Sequence, residues 1–197
     1  MKSKIISLIR YVFIKIMHKF YFLGWPVKFA RNIDFLNTDY IYIGNHTSID
    51  SQCEIVVIKE HINEIDFQEA PVIKIGKRVG VGKGTLIYGA KSVNIEDYVM
   101  ISPYCLISDY DHQYTNTDKP IVNQPLTKIQ PVLIKEGSWI GSHTVILSGV
   151  TIGKNCVIGA GSVITKNIPD FSVAVGTPAR VIKKYDPTTK TWKKLNK

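Results

Sequence analysis

Several things are scarce in this 197-residue chain, and each scarcity removes a class of protein. No C-x-x-C pair occurs, and Cys53, Cys105 and Cys156 make an odd count. A disulfide framework or a thiolate metal site has little to build on, so the thiols are expected to be small buried side chains in a reducing cytoplasm. Histidine is thin as well. His18, His46, His61, His112 and His143 stand far apart with no His-x-x-x-x-His pair, which argues against a three-histidine metal centre, and no metal is expected. Long apolar runs are missing too. The most apolar stretch, residues 4–20, is interrupted by Lys4, Arg10, Lys15 and Lys19, too often for a transmembrane span. Without a small-residue cleavage site it is also a poor signal peptide. Acidic residues are outnumbered, 16 Asp and Glu against 25 Lys and Arg, for a formal net charge of +9. That balance favours anionic partners such as phosphates, nucleotides or a lipid surface.

What the chain does have is a period. Ile134, Ile140, Ile146, Ile152, Ile158 and Ile164 follow one another at a spacing of six without a miss. Neither the 3.6 of an amphipathic helix nor the 2 of a lone strand fits this spacing. It is the period of a parallel β-helix made of hexapeptides, each unit forming one short side of a coil and sending one aliphatic side chain inward. Glycine follows several of these residues (Gly141, Gly153, Gly159). Small or modest side chains stand four places on from the repeat residue (Ser138, Thr144, Val150, Cys156, Ser162).

The repeat extends backwards through Ile95, Ile101 and Ile107, through Ile75, Val81 and Ile87, and through Ile43, Ile49 and Ile55. The groups are offset by insertions over residues 61–71, by a two-residue slip near Val93, and by a long stretch near 109–131. Three units make a triangular turn, so about five coils are expected between Ile43 and Pro169. The fold class is therefore all-β. Residues 1–26 form an N-terminal helix closed by Gly24, Trp25 and Pro26, residues 27–183 the repeat domain, and residues 184–197 a tail.

On a helical wheel, residues 4–20 place Lys4, Ser7, Arg10, Lys15, His18 and Lys19 on one half, and Ile5, Ile9, Val12, Phe13, Ile16 and Phe20 on the other. Two readings stay open for this amphipathic helix: a cap packed over the first coil, or an interfacial helix resting on anionic lipid.

The insertion S-D-Y-D-H-Q-Y-T-N-T-D-K-P-I-V-N-Q-P-L-T-K is polar and turn-rich, with His112 between Asp109 and Asp111 and the rest of the loop. Loops held by a rigid scaffold commonly carry function. Histidine near carboxylates suits a general base, because its pKa lies near physiological pH and a carboxylate can orient the ring. Either aspartate is a candidate for that task.

These residues together carry a resemblance. The D-x-D-H-x-Y loop, the run P-V-L-I-x-x-G-S-W-I-G-S-H-T-V-I-L-S-G-V-T-I-G-K-N-C-V-I-G-A-G-S-V-I-T-K-N-I-P and the exit V-G-T-P-A-R-V-I-K resemble the hexapeptide acyltransferases. The nearest branches are the maltose/galactoside O-acetyltransferases and the O-acetyltransferases of bacterial surface-polysaccharide clusters. The resemblance spans roughly residues 70–185. It implies a left-handed β-helix, a homotrimer with active sites between subunits, and acetyl-CoA as donor. His112 matches the family's base, taking the acceptor's proton with no acyl-enzyme. Ser142 matches a contact to the CoA arm, Ala160 and Thr165 the lining of the pantetheine, and Arg180 and Lys183 the basic end that meets nucleotide phosphates. Trp139 lines the same groove or packs inward, and His143 is a surface residue of a coil. Where polysaccharide-linked relatives carry a second histidine, this chain has Tyr110.

The resemblance implies an acetyl-CoA-dependent O-acetyltransferase acting on a sugar hydroxyl in capsule, O-antigen or exopolysaccharide synthesis. The alternatives are an N-acetyltransferase of an amino sugar nucleotide, an antibiotic-modifying O-acetyltransferase, or a non-enzymatic solenoid. No nucleic acid partner is expected. The chain is placed in the cytoplasm, and the interfacial reading of the helix puts it against the inner membrane face.

Overall fold

The computed structural model describes residues 2–59 and 71–195, with side chains from residue 5 onward. Most of the 61–71 insertion, His61 and the side chain of Lys4 lie outside the described residues. Within them the chain winds as a three-sided parallel β-helix. The first face stacks Phe22–Leu23, Ile41–Ile43, Ile73–Ile75, Val93–Ile95, Val132–Ile134 and Thr151–Ile152. The third face stacks Asp34–Leu36, Glu54–Val57, Leu86–Gly89, Leu106–Ser108, Val145–Ile146 and Val163–Ile164. Between them, the second face runs from Lys28–Phe29 through Ser48–Ile49, Gly80–Val81, Met100–Ile101, Trp139–Ile140 and Val157–Ile158 to Ser172–Gly176. It then finishes with two antiparallel strands, Ala179–Asp186 and Thr191–Lys194, so the segment read as a tail extends that face.

Register explains the period. On the first face Ile43, Ile75, Ile95, Ile134 and Ile152 pair in turn, and all five are fully buried. Each inward side chain is covered only by those of adjacent coils, and burying one stabilises by roughly 1.5–3 kcal/mol. The residue after it approaches the next coil's backbone. A Cβ on Gly141 would lie 2.6 Å from Ala160 N. Three places after the inward residue, the chain turns the corners after the first and second faces in the left-handed conformation, as at His46, Arg78, Tyr98, Gln52, Tyr104 and His143. Four places after it, small buried side chains satisfy the corner: Thr47 donates to Gly76 O at 2.7 Å and Ser138 to Gly153 O at 2.7 Å. The three thiols occupy this position, free and buried, and burial pushes their pKa values up.

One coil precedes the five expected from Ile43. Leu23, Phe29 and Phe35 pair with Ile43, Ile49 and Ile55, and so keep the spacing of six with a leucine and two bulkier phenylalanines. Phe29 and Phe35 meet edge to face at 5.9 Å, closing the end of the core.

Helix α1 (Lys2–Met17) leans on this coil in an unexpected orientation. Tyr11 is buried, packing on Trp25 at 4.7 Å and Phe29 at 6.5 Å, and Ile14 joins the core. The apolar half of the wheel faces out: Ile9 is 62%, Phe13 62% and Ile16 76% exposed. The helix rests on the first coil through its more polar side and leaves its apolar side uncovered among the described residues.

Candidate functional site

The loop bearing His112 leaves the third face after Ser108 and returns to the first at Val132. Its base is clamped by Asp109, which is fully buried. One carboxylate oxygen accepts Ala90 N–H at 2.7 Å; the other accepts Lys91 N–H at 2.7 Å and Ser92 N–H at 2.6 Å. These three amides form the turn created by the two-residue slip before Val93. Burial pushes the Asp109 carboxyl above its ordinary value, and the three amides pull it back. The carbonyl of Asp109 accepts from Gln130 N–H at 2.9 Å and Ser148 Oγ at 3.0 Å, closing the loop's two ends.

Above the clamp, Asp111–His112 pairs antiparallel with Leu126–Thr127. Buried Gln124 donates to Asn116 O at 2.8 Å and Lys119 O at 2.9 Å, stiffening the far side. His112 is thereby held exposed on a short hairpin. Neither aspartate is hydrogen-bonded to its ring among the described residues. Asp109 is committed to the clamp, and Asp111 is paired with Lys128 at 3.6 Å. The nearest aromatic is Tyr110, its ring edge-on at 6.1 Å.

Beneath the loop, Tyr88 stands beside Ser108 in register and donates its hydroxyl to Glu54 Oε2 at 2.5 Å. Burial first, and then Glu54, push the Tyr88 phenol well above its usual value; Tyr110 adds to the shift. Glu54 was not foreseen. It lies 34 residues before Tyr88, and only coil stacking joins them. The available signal was position, since each is next to an inward residue, Ile55 or Ile87, of the third face.

Most of the residues matched to donor contacts lie elsewhere. One outward row of the second face reads Lys28, Ser48, Gly80, Met100, Trp139, Val157, Val173 and Lys183. Trp139 points outward, donating Nε1–H to Ser102 Oγ at 2.9 Å, so it lines this face and does not pack inward. Three strand steps, about 14 Å, separate it from Lys183. Arg180 is on the same strand as Lys183, exposed, with Nη1 donating to Ala179 O at 2.9 Å. Ser142 and Ala160 sit on the corner after the second face; there His143 stacks on Tyr104 at 5.2 Å, a surface contact. Thr165 lies on the His112 corner, two coils further on. Between His112 and the Trp139 row stands the third face, with the outward row Leu86, Leu106, Val145 and Val163. Within one chain His112 and the Trp139 row stay apart, and of the residues matched to donor contacts only Thr165 shares the His112 corner.

With this geometry in place, the comparisons define the family. Residues 131–166 match the family described as bacterial transferase hexapeptide (six repeats). A maltose O-acetyltransferase structure from Clostridium difficile 630 is 31% identical, with a TM-score of 0.54 over 85% of this chain and 71% of that one. The galactoside O-acetyltransferase of Escherichia coli K12 is 39% identical over 124 residues, 63% of this chain and 60% of that protein. The fold also matches AntD, an N-acyltransferase from Bacillus cereus, at a TM-score of 0.72 and 22% identity, covering 91% of this chain and 90% of that one. The chain belongs to the hexapeptide-repeat acyltransferase family, whose β-helix winds left-handed. It spans 37% and 32% of the length of the first curated relatives it matches.

Replacing Asp109 with alanine leaves three amides without their acceptor, at a cost of about 1–3 kcal/mol for the first buried donor alone. Urea unfolding of Asp109→Ala should show that loss. Amide exchange at 90–92 and in the loop should quicken while the coils beyond Ile134 stay protected.

Proposed function

We propose that this chain is an acetyl-CoA-dependent O-acetyltransferase acting on a sugar hydroxyl of a bacterial surface glycan or its precursor. The observation that carries the reading is the second-face row. An exposed indole and a lysine stand about 14 Å apart, with Ser142 and Ala160 along the edge and Arg180 beside the lysine. Aromatic surface, small residues and terminal cations suit an extended thioester ending in phosphates. Galactoside and maltose O-acetyltransferases among the relatives favour a hydroxyl acceptor. AntD, bound to dTDP and coenzyme A, keeps N-acylation of an amino sugar nucleotide as the second reading.

In this mechanism His112 takes the proton of the acceptor hydroxyl as its oxygen attacks the thioester carbonyl. A C–O bond forms, the C–S bond breaks, and the imidazolium returns the proton to the departing thiolate. Tyr110 flanks the ring, and the Tyr88–Glu54 pair offers a fixed polar surface below it for the acceptor. Because the third face separates His112 from Trp139 within a chain, the working site combines the loop of one chain with the second face of another. A trimer packed along the apolar third-face rows meets that need.

The outward apolar stripe of α1 favours the interfacial reading of the helix. Helix α1 contains no Asp or Glu among its residues and carries Arg10 and Lys15, so it suits an anionic bilayer surface. No helix among the described residues is long and apolar enough to cross a membrane.

His112→Ala should lose about 10²–10⁴-fold in transfer while binding acetyl-CoA as the wild type does by calorimetry. Arg180→Ala should weaken that binding. Full turnover by His112→Ala would remove the base assignment, and no acetyl-CoA binding by wild type would remove the donor. The wild type should co-sediment with vesicles rich in anionic lipid at low salt, and Phe13→Glu combined with Ile16→Glu should not. A wild type indifferent to such vesicles leaves α1 as a prop of the first coil.

A further inference from the structure

The row that carries Trp139 ends, at the opposite extreme, in a cavity system remote from the Trp139–Lys183 segment. Three adjoining hollows share Lys28. The first, about 450 Å³, lies between α1 and the second face and is bordered by Arg10, Lys28, Ser48, Asp50 and Met100. Another, about 580 Å³, continues across Gly80 to His46, Arg78 and Tyr98. The last, about 620 Å³, opens under the helix against Leu8, Tyr11, Trp25, Pro26 and Val27. Gly80 makes the concavity: a Cβ there would find only Ser48 Oγ, at 3.9 Å.

The two ends differ in chemistry. The Leu8–Trp25 end is apolar, and Leu8 and Trp25 are themselves exposed, so it merges with the uncovered stripe of α1. The other end gathers Arg10, Lys28 and Arg78, none of which pairs with a carboxylate among the described residues. One carboxylate, Asp50, borders this end; its Oδ1 is turned to Ser51, accepting the N–H at 2.6 Å and the hydroxyl at 3.2 Å, and three cations outnumber it. Arg78 is steadied over the Tyr98 ring at 5.9 Å. Cations left unpaired round a hollow call for an anion, and an adjoining apolar hollow calls for a hydrocarbon joined to it.

We propose that this groove holds a phosphate ester of a hydrocarbon chain, the phosphate at Lys28, Arg10 and Arg78 and the chain under α1 against Leu8 and Trp25. Resting on the acetyltransferase reading above, it makes the acceptor a glycan carried on a lipid phosphate. Four strand steps, about 19 Å, separate Lys28 from Trp139 along one row. A phosphate bound at Lys28 therefore leaves room for more than a single sugar before the reacting hydroxyl. The apolar stripe of α1 then lies in the bilayer that supplies the ligand, and the groove opens at its surface.

Geranyl phosphate, geraniol, inorganic phosphate and UDP, titrated by calorimetry into the full chain, test this directly. Geranyl phosphate should bind more tightly than the other three. Lys28→Met and, independently, Arg78→Met should each weaken it about tenfold or more, and the uncharged Leu8→Ser should weaken it without changing the affinity for inorganic phosphate. UDP binding at least as tightly as geranyl phosphate would transfer the groove to a nucleotide and overturn the lipid assignment. Failure of geranyl phosphate to bind, or indifference to both charge variants, would overturn the site itself. Acetyl-CoA titrated into the same preparations separates the two claims. Geranyl phosphate bound without acetyl-CoA upholds the groove and sinks the transferase reading; the reverse does the opposite.

Discussion

Everything in this molecule depends on one packing constraint: each coil can bury its inward side chains only against the coils above and below. Ile43, Ile75, Ile95, Ile134 and Ile152 form such a column on one face, and equivalent columns run along the other two. Hydrophobic burial supplies the main favourable term, and in a stack it accrues between neighbours. The constraint leaves little freedom inside the prism. Inward positions must be apolar, and are aliphatic in every coil but the first, where Phe29 and Phe35 close the end; the next residue is often glycine, and the corner positions are small or left-handed. Chemistry is confined to outward rows and to loops that leave the corners.

That confinement gives the site its form. A flat face offers a straight track, and the second face uses it for a row running from Lys28 to Lys183. A corner offers a place where the chain can leave without disturbing the stack, and the His112 loop leaves at one. The Asp109 clamp makes the departure rigid, joining the two-residue slip near Val93 to the loop base through three amide hydrogen bonds. Rigid scaffolds commonly display functional loops in this manner. Since a face separates the loop from the row, the proposed reaction calls for a second copy of the chain to supply the missing half of the site.

Much of this was legible in the sequence, and the exceptions have physical causes. The spacing of Ile134 to Ile164 gave away the coils because one inward residue per side is compulsory. The first coil escaped because Leu23 stands for one isoleucine and the larger Phe29 and Phe35 for two more, closing the end of the core. The helix was legible as amphipathic, but not the side it would turn inward, because Tyr11 anchors it against Trp25 and Phe29 through residues distant in sequence. Asp109 and Asp111 looked equivalent beside His112. Only the structure shows that one is spent on amides and the other on Lys128. Glu54 and Tyr88, and likewise Lys28 and Trp139, are related by register alone, which no local motif records.

Whether catalysis joins two chains is best measured by mixing two crippled variants. His112→Ala keeps the donor face and loses the base; Trp139→Ala combined with Arg180→Ala keeps the base and loses the donor face. Co-expressed with different tags and purified through both, mixed assemblies should transfer acetyl groups where neither variant does alone, since one interface in each pairs an intact loop with an intact face. Confirmed mixed assemblies that stay inactive would contradict a site divided between chains.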